Sequence, residues 1–178
     1  LGDSLTAGYQ LGPEDAFPVR LAAALKERGH NVALVNAGVS GDTSAGGLAR
    51  LDWSVGADTD GVIVELGAND ALRGLPLTLT QKNITELITR CQAIGAKVVL
   101  VGMQIPPNYG RGYAEGFKNI FSNAATQTGA ALVPFLFEGF ADQRQYFQAD
   151  GIHPNESAQP LMLATVRLAL DPLLRYPL

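Results

Sequence analysis

Residues 61–66 read GVIVEL, and residues 97–105 read KVVLVGMQI. Both runs are nearly continuous in apolar residues, which is typical of strands in a parallel sheet whose two faces are covered. Residues 31–39 (NVALVNAGV) and 131–137 (ALVPFLF) are also rich in apolar residues and are predicted to be strands. These four runs form the framework of the predicted fold.

Segments with the apolar spacing of amphipathic helices lie before, between and after these runs. Gly29 and Gly95 are expected to end two of the helices, because glycine favours the left-handed backbone found at helix C-termini. A weaker helix is predicted over residues 112–128. The stripes of the other three helices are Phe17, Leu21, Ala24 and Leu25; Ile84, Leu87, Ile88 and Cys91; and Met162, Val166, Ala169, Leu170 and Leu173.

The alternation of strands and helices predicts an α/β fold: a single doubly wound domain over residues 1–178. We expect a parallel sheet of about five strands with helices on both faces. Only Leu1 precedes a glycine-containing motif that should follow a strand, so the first strand is expected to be truncated before Leu1. Any targeting segment would also lie there. Ligands of such sheets bind beyond the carboxyl ends of the strands.

Composition excludes several classes of protein. The formal net charge is −4 and no stripe of Lys and Arg is present, so nucleic-acid binding is not expected. No apolar run approaches the roughly 20 residues that span a bilayer, so stable membrane insertion is not expected either. The single cysteine, Cys91, cannot form an intramolecular disulfide and lies on a helical stripe that predicts core packing. The sequence predicts no oligomeric state.

Four polar, glycine-containing stretches interrupt the pattern of strands and helices. They are residues 2–6 (GDSLT), 38–42 (GVSGD), 67–70 (GAND) and 150–154 (DGIHP). The first three are expected at the carboxyl edge of the sheet, and the fourth precedes the last helix. The chemistry of the protein is therefore predicted to lie among them.

Acyl transfer needs a nucleophile, a base, a group that orients the base, and donors for the oxyanion. Of the two histidines, His30 is predicted to be a solvated residue at a helix end. His153 follows Asp150 by three residues, and Gly151 allows the tight turn that would point the carboxylate at Nδ1. The alternative is a turn in which Asp150 only caps the following helix. Ser4 alone is weak evidence, since serine after glycine is common in turns.

Other site chemistries have no motif in this chain. The G-x-S-x-G elbow, the Walker A pattern and G-x-G-x-x-G are absent, so neither an α/β-hydrolase elbow nor a phosphate-binding loop is predicted. The two histidines and one cysteine lack metal-ligand spacing. No metal and no cofactor are expected.

Taken together and in order, the four stretches resemble the four blocks of the SGNH (GDSL) hydrolase family. The Gly-Asp-Ser-Leu, Gly, Gly-x-Asn-Asp and Asp-x-x-His blocks all occur with the spacing of that family. The likeness covers essentially the whole chain and is greatest to the bacterial branch described as thioesterase I, lysophospholipase L1 or arylesterase. The segments that carry it are residues 36–44, 47–51, 64–70, 72–74, 107–111 and 150–155.

The resemblance implies a flavodoxin-like SGNH hydrolase domain and a role for each matching residue. Ser4 would be the nucleophile, His153 the base and Asp150 its orienting group. The oxyanion hole would comprise the N–H groups of Ser4 and Gly41 and the side-chain amide of Asn69. The implied reaction hydrolyses an acyl ester or thioester through an acyl-serine intermediate.

Several other residues are given structural interpretations. Asp3 and Asp70 lie within the motifs and are predicted to hydrogen-bond to nearby backbone amides and hold the loops. Trp53 and Met103 are expected in the core. Arg73 could meet a carboxylate or phosphate of a substrate, and a solvated arginine is an equal alternative.

Two loops, residues 72–79 and 104–113, are predicted to form the walls of an acyl pocket. The alternative is that they are ordinary connecting loops. Leu72, Arg73, Pro107 and Tyr109 are the candidate substrate-binding residues. The resemblance suggests short- to medium-chain esters, aryl esters, acyl thioesters or lysophospholipids as small-molecule substrates, without ranking them. The alternatives are a carbohydrate O-acetyl esterase and a non-catalytic ligand-binding module. A periplasmic or secreted bacterial protein is expected by kinship, with a cytoplasmic one as the alternative.

Overall fold

The computed structural model describes residues 1–174, and within them three parallel strands form the sheet. Strands β1 (Gly61–Val64), β2 (Lys97–Val101) and β3 (Ala131–Val133) are hydrogen-bonded in that order. Every predicted strand that is found is shorter than its apolar run. In the run 131–137, for example, β3 stops before Pro134, which has no N–H to donate to a neighbouring strand.

Beyond β1, the sheet continues only as isolated bridges. Gly2 pairs in parallel with Gly38 on one side and with Glu65 on the other. The predicted strand over residues 31–39 is therefore wrong, as is the predicted count of about five strands. Among residues 1–174 no strand lies beside 31–37 to complete a ladder. Val35 in this segment is 75% exposed.

Eight α-helices are described within residues 1–174. They are α1 (Ser4–Ala7), α2 (Phe17–Glu27), α3 (Ser44–Ala49), α4 (Leu51–Ser54), α5 (Ala68–Leu72), α6 (Leu77–Ala93), α7 (Arg111–Thr128) and α8 (Gln159–Leu174). The four helices predicted from sequence correspond to α2, α6, α7 and α8. Gly29 and Gly95 lie just beyond α2 and α6 with φ of 88° and 90°, as expected.

The helices cover both faces of the sheet. Helices α6 and α7 pack on each other and on the strands, while α2 and α8 form a second pair, from which α8 contacts β2 and β3. The successive residues 98–101 of β2 are all buried, although their side chains alternate between the two faces. The doubly wound α/β class is thus confirmed. No helix in the described part of the chain combines the length and apolar character needed to cross a membrane.

Two of three predicted core side chains are buried. Cys91 and Met103 are buried in the core, as predicted, but Trp53 is 94% exposed. Helix α4 is a single turn, and its Leu51 is buried in the core. Trp53 lies two positions further along the helix, and residues two apart in an α-helix face nearly opposite sides. The prediction that Trp53 lies in the core is wrong for this reason.

Candidate active site

Ser4 is the first residue of α1, and its neighbours fix where its hydroxyl lies. The Asp3 side chain caps this short helix by accepting the Leu5 N–H at 3.0 Å. Gly38 lies so close beneath α1 that a Cβ there would be 2.3 Å from the Ala7 nitrogen. Only glycine permits this approach. Residues 2–6 and 38–42 are therefore packed directly against each other. These are the first two of the four polar stretches, which are called the motif loops below.

A chain of two hydrogen bonds joins Ser4, His153 and Asp150. His153 Nε2 lies 3.0 Å from Ser4 Oγ, and His153 Nδ1 lies 2.7 Å from Asp150 Oδ2. These distances are suited to an Nδ1–H that donates to the carboxylate and an Nε2 that accepts the serine proton. The structure thus brings together three residues that are up to 149 positions apart in sequence.

Asp150 is held as an anion by its own turn. Its Oδ1 accepts the N–H groups of Ile152 at 2.9 Å and of His153 at 3.0 Å. The Ile152 N–H, followed by the His153 side chain and N–H, lowers the pKa of Asp150 to about 2. The carboxylate that orients the imidazole is therefore charged at any pH above the acid range.

Tyr9 also contacts His153, and sequence reasoning missed this contact. Its ring centroid lies 4.4 Å from that of His153, at an interplanar angle of 40°. The Gln148 side chain donates both to Tyr9 O, at 2.8 Å, and to Pro154 O, at 3.0 Å, which ties the two loops together. Adjacent Gln10 is the one non-glycine residue in 1–174 with positive φ. Nothing in residue type or spacing distinguished Tyr9 from an ordinary loop residue.

Replacement of Tyr9 tests the contact between its ring and His153. An aromatic face stabilises a cation by about 0.5–1 kcal/mol at an exposed site, so Tyr9→Leu should lower kcat/KM about two- to fivefold. Tyr9→Phe keeps the ring and is the matched control, since the hydroxyl meets only Gln10, at 3.4 Å. Steady-state kinetics on one ester measure both. Equal losses in the two variants would show that the ring contact has no such effect.

Two backbone N–H groups near Ser4 are available to a ligand. Neither the Ser4 N–H nor the Gly41 N–H meets an acceptor within residues 1–174. Gly41 has a φ of 82°, a left-handed backbone that other residues rarely adopt. The position therefore requires glycine for its conformation, and the absence of a side chain leaves the amide open.

The Asn69 amide, in contrast, is fully engaged. Its Nδ2 donates to Asp3 Oδ2 at 3.0 Å and to the carbonyl oxygen of Asp42 at 2.9 Å. An –NH₂ group has only two hydrogens, so an oxyanion must share one of them or displace one of these acceptors. The structure thus places Asn69 at the junction of the first three motif loops.

Two arginines hold the loop that contains Gly41. Arg50 donates from Nε to Asp42 Oδ2 at 2.7 Å and from Nη2 to Gly2 O at 3.0 Å, linking this loop to the first motif. Arg73 donates to Gly41 O at 2.7 Å. This hydrogen bond orients the peptide group next to the Gly41 amide. Sequence reasoning assigned no role to Arg50 and considered only substrate contact or solvation for Arg73.

The motif aspartates bond as predicted to nearby backbone amides. Asp70 is buried and accepts the Ser44 N–H at 2.8 Å and the hydroxyl groups of Ser44 and Thr80. It thereby ties the third motif to α3 and α6. Asp3 accepts the Leu5 N–H, as described above, and also the Asn69 amide. The second bond gives Asp3 a contact with the candidate oxyanion donor that the sequence did not predict.

The cleft beside Ser4 is small. Its volume is about 10 Å³, close to the space of one water molecule, and its lining includes Tyr9, Leu11 and Pro154. All four predicted substrate-binding residues, Leu72, Arg73, Pro107 and Tyr109, are exposed, and none of them lines this cleft. Among residues 1–174, no three His, Cys, Asp or Glu side chains cluster in a way that could hold a metal ion.

Comparison with known proteins identifies the family. Residues 1–159 match the model of the GDSL-like Lipase/Acylhydrolase family. The chain belongs to this family. Like other GDSL proteins it is an acyl ester hydrolase, and the resemblance noted in the sequence is confirmed.

Relatives of this GDSL protein are curated esterases. It is 43% identical to the esterase TesA of Pseudomonas aeruginosa PAO1, over 98% of this chain and 87% of the relative. It is 41% identical to an arylesterase of Vibrio mimicus, over 90% and 80% of the two chains. Thioesterase 1/protease 1/lysophospholipase L1 of Escherichia coli K12 is 37% identical, over 99% and 84%.

A solved relative shows the same fold. The psychrotrophic esterase EstA from Pseudoalteromonas sp., inhibited by monoethylphosphonate, superposes with a TM-score of 0.92 at 36% identity. The match covers 99% of this GDSL chain and 97% of that one.

Proposed function

We propose that the chain hydrolyses small-molecule esters and thioesters with Ser4 as nucleophile, His153 as general base and Asp150 as its orienting group. The observation that carries the proposal is the continuous hydrogen-bond chain from Ser4 Oγ through the imidazole to Asp150 Oδ2, at 3.0 Å and 2.7 Å. Such a chain lets a hydroxyl lose its proton as it attacks an acyl carbon.

The reaction proceeds in two steps. Ser4 Oγ attacks the acyl carbon while His153 Nε2 takes the proton, and the oxyanion is bound by the N–H groups of Ser4 and Gly41 and by the Asn69 amide. His153 then protonates the leaving alcohol or thiol. Water hydrolyses the acyl-serine by the same route, so the residues named are sufficient for turnover.

The proposed substrates are short- to medium-chain esters, aryl esters, acyl thioesters and lysophospholipids. The names of the curated relatives support this range. Because the cleft beside Ser4 holds about one water molecule, the acyl chain is expected to lie along the exposed loops. We propose Leu72, Arg73, Pro107 and Tyr109 as contacts there. Kinship also supports a periplasmic or secreted location, which fractionation of the producing bacterium would test.

A substrate panel combined with active-site labelling tests the proposal. Purified protein is assayed on p-nitrophenyl esters of increasing acyl length and on acetylated sugars, with and without a fluorophosphonate, and the adduct is located by mass spectrometry. We expect ester hydrolysis to disappear in step with labelling of Ser4. Turnover restricted to acetylated sugars would favour the O-acetyl esterase alternative. Hydrolysis that persists in fully labelled protein would contradict the proposed nucleophile.

Replacement of Asn69 tests the oxyanion hole. Asn69→Ala should lower kcat by about 10²–10³ with little change in KM, because the lost donor acts mainly where negative charge develops. Asn119→Ala, in an exposed residue of α7, is the control for loss of an amide. Steady-state kinetics on one p-nitrophenyl ester measure both, and thermal melting monitors the fold. An unchanged kcat in Asn69→Ala would mean that the oxyanion is held elsewhere.

A further inference from the structure

Glu65 is a buried carboxyl group directly below the nucleophile loop. It follows β1, its side chain is fully buried, and its Oε2 accepts the Thr6 hydroxyl at 2.8 Å and the Asp3 N–H at 3.3 Å. Its Oε1 is the one buried side-chain polar atom in residues 1–174 without a hydrogen-bond partner. A carboxylate oxygen in that position would carry charge with no donor, which is costly.

Asp3 lies against Glu65 and is almost as deeply buried. Within residues 1–174 no cation forms an ion pair with either carboxyl group, since the nearby Arg50 guanidinium bonds to Asp42, Ser54 and the Gly2 carbonyl. Two adjacent carboxyl groups without a cation do not both ionise in a buried site. One proton is therefore shared by the pair at neutral pH.

The hydrogen bonds point to Glu65 as the group that holds the proton. Asp3 accepts the Leu5 N–H at Oδ1 and the Asn69 amide at Oδ2, so the surroundings of Asp3 stabilise an anion. Glu65 Oε2 accepts two donors but Oε1 meets none, so the surroundings of Glu65 favour the neutral acid. Burial raises the pKa of Asp3 to about 6, whereas burial and the Asp3 charge raise the pKa of Glu65 well above its usual value.

We propose that Glu65 is a neutral acid that shares its proton with the adjacent Asp3 carboxyl group, and that this carboxyl pair positions the Asn69 amide for the oxyanion. The inference rests on the proposed role of Asn69. Glu65 and Asp3 are positioning residues, because they act through Asn69 and touch no reacting atom.

Loss of the Glu65 donor has a defined consequence. Without the donated proton, burial would keep Asp3 protonated to a higher pH, and a neutral carboxyl group is a weaker acceptor for Asn69. The other charged groups near the pair are Asp42 from the second motif loop, which opposes ionisation of Asp3, and Arg50, which bonds to Asp42. A variant that changes only the Glu65 donor leaves these in place.

Two near-isosteric variants separate the donor from the side-chain volume. Glu65→Gln keeps a carbonyl oxygen and puts an amide N–H in place of the acid O–H, so kcat should stay within about twofold of the parent. Glu65→Met fills the space without a donor and should lower kcat about ten- to hundredfold with little change in KM, less than loss of Asn69 itself. The acid limb of its kcat/KM profile should shift to higher pH.

A double-mutant cycle with Asn69→Ala tests whether the effect passes through Asn69. In the Asn69→Ala background, Glu65→Met should lower kcat no further. Additive losses of kcat would overturn this inference but not the proposed function. A loss in Glu65→Gln equal to that in Glu65→Met would do the same. Asn69→Ala with an unchanged rate would refute the proposed oxyanion donor and the inference with it.

Infrared spectroscopy supplies a readout that requires no activity and no unstable variant. The wild-type protein at neutral pH should show the carbonyl band of a buried, protonated carboxylic acid, and the stably packed Glu65→Gln variant should lack it. A wild-type spectrum without that band, or a band retained in Glu65→Gln, would overturn the assignment of the proton to Glu65.

Discussion

Ser4→Ala is expected to lower kcat by about 10⁶ on any ester the protein hydrolyses, by analogy with loss of the nucleophile in other serine hydrolases. The hydroxyl is the group that forms the acyl intermediate, and His153 has no other hydroxyl within hydrogen-bond distance among residues 1–174. The oxyanion donors and the base would remain, so a small residual rate over that in water is expected. Stopped-flow and long-time assays on a p-nitrophenyl ester cover this range of rates.

The matched control is Ser122→Ala, which removes a hydroxyl from the exposed face of α7. It should keep the parent rate and should still form the fluorophosphonate adduct on Ser4. Ser4 is half-buried and loses one oxygen on substitution, so the variant should melt near the parent temperature. A folded, pure Ser4→Ala protein with near-parent kcat would refute Ser4 as nucleophile.

The helices and the central strands were predictable because each helix buries a stripe of apolar residues and each strand buries a short apolar run. Helices α2, α6, α7 and α8 show the 3.6-residue period, and β1 and β2 are short runs of buried apolar residues. Residues 31–39 are equally apolar, yet they form no strand. A ladder requires a neighbouring backbone as well as a suitable side-chain pattern, and composition reveals only the second. The exposure of Trp53 likewise depends on how a single helical turn meets the core.

The positions of the proposed catalytic residues were predictable for a different reason. Ser4, Asn69, Asp150 and His153 lie in short blocks whose order and spacing carry the family resemblance, and the structure brings them to one edge of the sheet. The sequence did not indicate Tyr9 or Glu65, because the contacts of each join separate loops or elements. The full engagement of the Asn69 amide was also invisible, since it depends on the simultaneous approach of Asp3 and Asp42.

Asp150→Asn is expected to lower kcat by about 10⁴ while leaving Ser4 and His153 in place. Asp150 Oδ2 accepts the Nδ1–H of the imidazole at 2.7 Å and thereby leaves Nε2 free to take the serine proton. An asparagine can turn its –NH₂ toward Nδ1, which would place the ring proton on Nε2 and block proton transfer from Ser4. Rates on one ester, measured across the neutral range, give the size of the loss.

Asp58→Asn makes the same change of charge at an exposed residue before β1, at the opposite end of the sheet, and should keep the parent rate. The pKa of Asp150 is lowered to about 2, so its ionisation cannot produce any pH dependence of the parent enzyme near neutrality. The loss in Asp150→Asn should therefore persist at every pH in that range. A rate within about tenfold of the parent at neutral pH would show that Asp150 only caps its turn, and that another group orients His153.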